Sequence, residues 1–310
     1  MIDHIAVTNH LGDRLEMPLR NPYDSGLAIK KVEGIGPAKG TINLTDISTS
    51  DGSIFNSSRV GNRNIVLTLE FVPDFAKGRS IEDVRLETYK YFPVKHPLTF
   101  EVVTDRRKAA IVGYVESNEP DIFSDREGCE ISILCPDPYF YALDIHGSEA
   151  DGFSAIQGGF EFIFSNEDLK KALLHFSDLK LLEEINIPYS GDADTGMVIH
   201  VHAIGKATNI AIVKPREYLQ MNVDTDKFST VKGLTNGLVA GDDLYIDTRR
   251  GHKGMTLVRG GKTYNVINAL DRGSDWLKLS HGDNIFSYKA GTGGVYLQIN
   301  LEYNTIYEGV

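Results

Sequence analysis

His200 and His202 are the first residues to weigh as chemistry. They lie one residue apart in Met197-Val-Ile-His-Val-His-Ala203, and on a strand that spacing projects both rings from one face, as some metal sites require. Two ligands are too few. No carboxylate or third histidine stands at a typical spacing, and His175, His252 and His281 are remote in sequence, so both read as surface histidines and no metal set is expected. Cys129 and Cys135 fall in one alternating run, Cys-Glu-Ile-Ser-Ile-Leu-Cys, which as a strand holds them about 20 Å apart, too far to bridge. Sharing a face with Ile131 and Ile133, they read as small buried hydrophobes rather than nucleophiles.

Other fragments imitate binding motifs and fail on context. Gly34-Ile-Gly36-Pro-Ala-Lys-Gly40 has one residue too many for a dinucleotide fingerprint and leads into a strand, Thr41-Ile-Asn-Leu44, where a helix would be needed. Gly260-Gly-Lys-Thr263 resembles the end of a phosphate loop, but Thr256 stands where its first glycine belongs. Asn222-Val-Asp224-Thr-Asp226 opens like a calcium loop, yet Lys227 takes the place of the glycine and Gly233 that of the closing glutamate. There is no Gly-x-Ser-x-Gly elbow and no cysteine with an activating partner. Trp276, the single tryptophan, could offer a sugar a stacking face; core filling in a sandwich is the favoured reading. No catalytic residue and no cofactor site is expected.

The elements that would carry these residues are mostly strands. Ile65, Leu67, Leu69 and Phe71 alternate through 63–72, Leu98, Phe100 and Val102 through a second strand, and Ile111, Gly113 and Val115 through a third. Asp105-Arg-Arg-Lys108 is the polar turn joining the last two as a hairpin, and the basic run 106–108 reads as its solvated tip. One helix is expected from Ile81 to Phe92, with Ser80 as N-cap, acidic Glu82 and Asp83 in the first turn, and Pro93 as its stop. Segment 166–184 is rich in helix formers without one apolar stripe. After Gly191 short strands return at 197–204, 208–213, 218–223, 243–248, 255–258, 264–267, 276–279, 285–288 and 294–303, a spacing that argues a β-sandwich and excludes a parallel α/β sheet.

At 310 residues the chain is long enough for two cores. The Pro and Gly punctuation after Cys135 puts a boundary near 145, giving domains 1–145 and 146–310, with the last strand able to pack back on the first domain. The formal charge is -11, both halves are acidic, and no basic patch suits phosphate binding. Met1-Ile2-Asp3-His4 lacks the features of a secretory signal, and no apolar run approaches the roughly 18 residues that span a bilayer. Synthesis in the cytoplasm without membrane insertion is expected.

Longer ordered stretches carry a resemblance. Asp51-Gly-Ser-Ile-Phe55 through Arg63-Asn-Ile-Val-Leu-Thr-Leu-Glu-Phe71, Ile81-Glu-Asp-Val84 through Tyr91-Phe-Pro93, Gly113-Tyr-Val-Glu116 through Phe123, and Ile133-Leu-Cys-Pro-Asp-Pro-Tyr-Phe-Tyr141 resemble the N-terminal part of the siphophage tail-component family, the distal tail proteins. Gly191-Asp-Ala-Asp-Thr-Gly196, Gly241-Asp-Asp-Leu-Tyr-Ile-Asp-Thr248, Ser274-Asp-Trp-Leu-Lys-Leu279 and Tyr307-Glu-Gly-Val310 resemble the family's galectin-like C-terminal sandwich.

The resemblance implies a mainly β protein with one or two helices: an N-terminal ring-forming α+β domain and a C-terminal galectin-like sandwich. It implies no enzyme but a virion component of the tail tip or baseplate, assembled in the bacterial cytoplasm. A homo-hexameric ring would join the tail tube protein to tail-associated lysin or receptor-binding proteins, and DNA would pass it without specific binding. The Gly- and Asn-rich segment 33–64, with Gly34, Gly36, Gly40, Gly52, Asn56, Arg59 and Asn62, is the expected ring-interface arm. The alternative is a carbohydrate-binding module reading the host wall through Trp276. A peptidoglycan-cutting enzyme is disfavoured for want of a nucleophile, metal cluster or acid/base pair.

Overall fold

Apolar side chains at every second position govern both halves of the chain, which is predominantly β. The structure, a computed structural model, describes residues 1–48, 51–143, 149–154, 156–158, 177–179 and 184–310. It divides into two compact units, Met1–Gly147 with Ile306–Val310, and Ser148–Thr305.

The first unit holds β1 (Ile2–Asn9), β2 (Arg14–Pro18), β3 (Leu27–Glu33), β4 (Gly40–Asp46), β5 (Ser53–Val60), β6 (Arg63–Phe71), β7 (Pro97–Thr104), β8 (Lys108–Asp121), β9 (Gly128–Cys135) and β10 (Phe140–Ala142). The main sheet runs β2-β1-β7-β8-β9-β6-β3, and β10 pairs both β8 and the C-terminal strand Ile306–Tyr307. The chain end thus returns to the unit in which it began. In β6 the alternation is fully expressed: Ile65, Leu67, Leu69 and Phe71 are buried while Asn64 is exposed. Cys129, Ile131, Ile133 and Cys135 face the same core from β9. Gly113 of β8 is small for a reason, because a Cβ there would stand 2.5 Å from Ile133 and 2.8 Å from Cys135.

A short helix α1 (Pro22–Ser25) precedes β3, and α2 (Ile81–Tyr91) lies between β6 and β7. At the start of α2, Ser80 Oγ accepts from the Asp83 amide and the Asp83 carboxylate accepts from the Ser80 amide, a reciprocal capping box. Val84 and Thr88 are its buried face. The hairpin expected at 105–108 joins β7 to β8, but the run 106–108 is not uniformly solvated. Arg107 turns inward, donates to Gly309 O at 2.8 Å and lies 4.3 Å over the Tyr307 ring. The returning C-terminus supplies the carbonyl and the aromatic face that draw it there.

The second unit holds β11 (Glu149–Ser154), β12 (Ile156–Gly158), β13 (Ser177–Leu179), β14 (Ile185–Tyr189), β15 (Met197–Ala203), β16 (Thr208–Lys214), β17 (Leu219–Val223), β18 (Asp242–Asp247), β19 (Gly254–Arg259), β20 (Lys262–Asn265), β21 (Gly282–Thr292) and β22 (Leu297–Tyr303). One sheet runs β11-β22-β15-β18-β19-β20 and another β14-β21-β16-β17, while β12 pairs β13. Ile199, Leu244, Leu257 and Ile299 from the first sheet and Ile187, Ile212, Met221 and Phe286 from the second share one core, so the two sheets form a sandwich.

Three expected strands differ, one of them because Gly294–Tyr296 form a 3-10 helix before β22 begins at Leu297. Segment 264–267 ends as a strand at Asn265 and turns into the 3-10 helix Ile267–Ala269. Segment 276–279 is irregular, bridged only where Leu279 meets Thr195. Just before it, side chains and backbone share the edge of β17: Ser274 Oγ accepts from the Asn222 amide and the Asp275 carboxylate from the Gln220 amide, while the Asp271 and Asp275 amides donate to Asn222 O at 3.0 Å and Gln220 O at 2.8 Å. Of the helix-rich segment 166–184, Ser177–Leu179 form β13, and residues 166–176 and 180–183 lie outside the described residues.

Candidate functional site

The segment expected to act as an arm is a two-stranded antiparallel ribbon, β4 with β5, that shares no ladder with the main sheet. The residues of β4 and β5 are exposed except Val60, which is half-buried. Register decides which of them share a face. Leu44 opposes Phe55 and Asn43 opposes Ser57, leaving Asn56 as an extra residue on β5. This β-bulge shifts Phe55 onto the face of Ile42 and Leu44, where without it Asn56 would stand. Asn56 instead donates to Thr45 Oγ1 at 2.6 Å, across the bulge. Ile42, Leu44 and Phe55 are 63%, 56% and 61% exposed, an apolar stripe that a chain in water would be expected to cover. Arg59 opposes Thr41, and Asn62 is exposed between ribbon and sheet.

The glycines of the arm divide. Gly34 is required: at φ +80 it lies so close to β6 that a Cβ would stand 2.0 Å from Asn64 O. Gly52, at φ +98, lies beside the turn between the two strands. Gly36 and Gly40 have no left-handed backbone, and an added Cβ would meet nothing nearer than one atom at 3.9 Å, so their conformations do not demand glycine.

Arg63, which carries no sequence signal of its own, fastens the root of the ribbon. Its buried guanidinium donates to Pro138 O at 2.7 Å, to Gly34 O and Gly36 O at 2.5 Å each, and to Glu308 O at 2.6 Å. It also lies 4.7 Å over the Phe140 ring. Burial lowers its pKa from the ordinary guanidinium value. One cation thus ties together the strand that follows the ribbon, the loop that leads into it, the approach to β10 and the C-terminus. Val310 adds a backbone bond to Ile35 O at 3.1 Å. From sequence the position reads as one more polar residue at a strand start, since its four acceptors are backbone carbonyls, which leave no residue-type pattern.

The other residues weighed from sequence are placed as follows. Trp276 is half-buried against the core of the second unit, with the Lys253 ammonium 4.9 Å over its ring. Gly260 and Gly261 form the two-residue turn of the β19-β20 hairpin, both at positive φ, which accounts for the phosphate-loop likeness. In the calcium-like segment Asp224 accepts from the Asp226 amide, and the Lys227 ammonium reaches Asp224 at 3.2 Å and Asp271 at 2.9 Å, so a lysine neutralises the carboxylates. Burial pushes the thiols of Cys129 up to about 12 and of Cys135 up to about 11.

His200 and His202 do project from one face of β15, but they have a carboxylate partner. Asp243 Oδ1 lies 2.8 Å from His200 Nε2 and 2.7 Å from His202 Nδ1. The antiparallel pairing of β15 with β18 sets His202 opposite Asp243 and His200 opposite Tyr245. A strand pairing across 41 positions has no local spacing signal, so the sequence does not reveal this partner.

Among protein families and curated proteins nothing matches the chain. Solved structures do. The crystal structure of the Dit (gp 19.1) protein of phage SPP1, described as a paradigm of the hub adsorption apparatus in phages infecting Gram-positive bacteria, aligns at TM-score 0.59 and 13% identity, covering 96% of this chain and 98% of that one. The baseplate of phage P2 in its activated conformation with calcium aligns at TM-score 0.43 and 10% identity over 98% of both chains. Ribbon, main sheet and sandwich are therefore parts of one two-unit fold, the fold of the SPP1 Dit protein.

Proposed function

We propose that this chain is a structural subunit of a phage tail tip, closing as a homo-hexameric ring through its first unit between the tail tube protein and the host-adsorption apparatus. The observation that carries the reading is the fold shared with a hub adsorption protein over nearly the full length of both chains. The ribbon supports it. A closed ring needs a patch on one copy that complements a different patch on the next, and an exposed hairpin with an apolar stripe suits that head-to-tail geometry. The sandwich would then serve as the docking platform for tail-associated lysin or receptor-binding proteins, and the role is structural rather than enzymatic.

Native mass spectrometry and electron microscopy of the purified full chain, alone and with isolated tail tubes, test this. The expected result is a six-fold species, formed alone or on the tubes, that Phe55→Asp abolishes without unfolding the monomer. A chain that stays monomeric or two-fold and does not cap tubes would overturn the reading.

A further inference from the structure

We propose that His200, His202 and Asp243 form a binding site for a divalent transition metal ion, zinc(II) being the best fit, on the outer face of the second unit's sandwich. The site is independent of the ring. Each residue offers one ligand atom, and the three atoms lie within 4.8 Å of one another. Two of the separations are 2.8 and 2.7 Å. Donors about 2.0–2.2 Å from a tetrahedral zinc stand roughly 3.3 Å apart, so the Asp243 oxygen would move about half an ångström from each ring nitrogen to admit the ion.

The scaffold favours such a site. His200 and His202 lie on the central strand β15 and Asp243 on its neighbour β18, both held in register on each side. The inward residues Ile199, Val201 and Leu244 are fully buried and fix the strands from below. The His200 ring is further set by Tyr245, stacked on it at 4.5 Å between centroids and 4° from parallel. Imidazole with carboxylate is a donor set suited to zinc and to nickel or copper, and not to calcium or magnesium, which prefer oxygen alone.

Electrostatics agree. The Asp243 carboxylate is the one acidic group hydrogen-bonded to both rings and would supply the negative charge that a divalent cation needs. The chain is acidic overall, and Glu302 adds negative charge beside Tyr245. Ligation requires each ring to turn an unprotonated nitrogen toward the ion. The side chains of His200, His202 and Asp243 keep 20%, 35% and 28% of their exposure, so a fourth position stays open to water or to a donor group of a docked molecule.

Isothermal titration of untagged full-length chain with zinc chloride, together with the visible absorption of the cobalt(II) form, tests the site. One zinc per chain is expected, with a tetrahedral cobalt spectrum. His200→Ala, His202→Ala and Asp243→Asn should each weaken zinc about 100-fold and bleach the cobalt bands, whereas His252→Ala should change neither. Should Asp243→Asn unfold the unit, His202→Gln, at the most exposed of the three, decides alone. No stoichiometric zinc binding, or binding indifferent to these substitutions, would overturn the proposal and leave the ring reading intact.

Discussion

Arg63 shows how much one side chain can hold when its partners are all backbone. Four carbonyls, from the loop before the ribbon, the approach to β10 and the C-terminus, converge on its guanidinium. Arg63→Ala would leave buried acceptors unpaired and is expected to cost about 3 kcal/mol, with Arg63→Lys recovering little because an ammonium cannot span the same fork. Denaturant melts of the two variants check this; a lysine variant as stable as the parent would refute the fork argument. The two cysteines make a second case among single residues. Their thiols are pushed up to about 12 and about 11 by burial, so in the native state both stay protonated from neutral pH to about pH 10. The expected outcome is negligible labelling by iodoacetamide at pH 8 until denaturant is added.

Among the elements, the ribbon and the segment around Trp276 illustrate two ways a strand-like sequence departs from a ladder. In the ribbon a single bulge residue, Asn56, sorts Phe55 onto the apolar face. Around Trp276 the side chains of Ser274 and Asp275 accept the amides of β17's edge, and backbone amides of Asp271 and Asp275 reach its carbonyls, without a regular strand. Trp276 packs on the core from that irregular strap, and its role is read as structural. Trp276→Ala is therefore expected to lower stability by about 2 kcal/mol, less than a fully buried tryptophan would cost. Calorimetry checks the figure, and a melting temperature unchanged while binding to host cells disappears would replace this role by sugar recognition.

For the molecule taken entire, the decisive quantity is charge. The chain carries -11, and six copies would present a strongly acidic assembly to any DNA passing through. A basic lumen would bind phosphates by counterion release and retard passage; an acidic or mixed one would not. Of the carboxylates on the first unit's strands, Glu101 accepts from Arg14 at 2.5 Å and Glu70 pairs with Lys30, whereas Glu116 accepts from the neutral Ser132 hydroxyl at 3.0 Å. If the proposed ring forms, it is expected to show no net positive belt along its channel and to let duplex DNA through a retention assay at low salt. A ring that holds duplex under those conditions would contradict this.

Local periodicity and local turn and cap chemistry account for the elements that were legible in the chain, while the tail-tip reading came from the resemblance of longer ordered stretches. The period-2 runs of β6 and β9, the Ser80 cap with its stop at Pro93, and the burial of Cys129 and Cys135 all depend on residues within about four helical turns of one another along the chain, and local sterics and burial suffice to specify them. The mainly β class and the mimicry of the Gly260 and Asp224 motifs were legible for the same reason. Contacts between distant partners needed the folded chain. Arg63 finds Glu308 across 245 positions, Arg107 finds Gly309 across 202, and His202 finds Asp243 across 41. Each exists because strand pairing and the returning C-terminus bring chemically ordinary residues together, and no spacing along the chain records which strand will lie beside which.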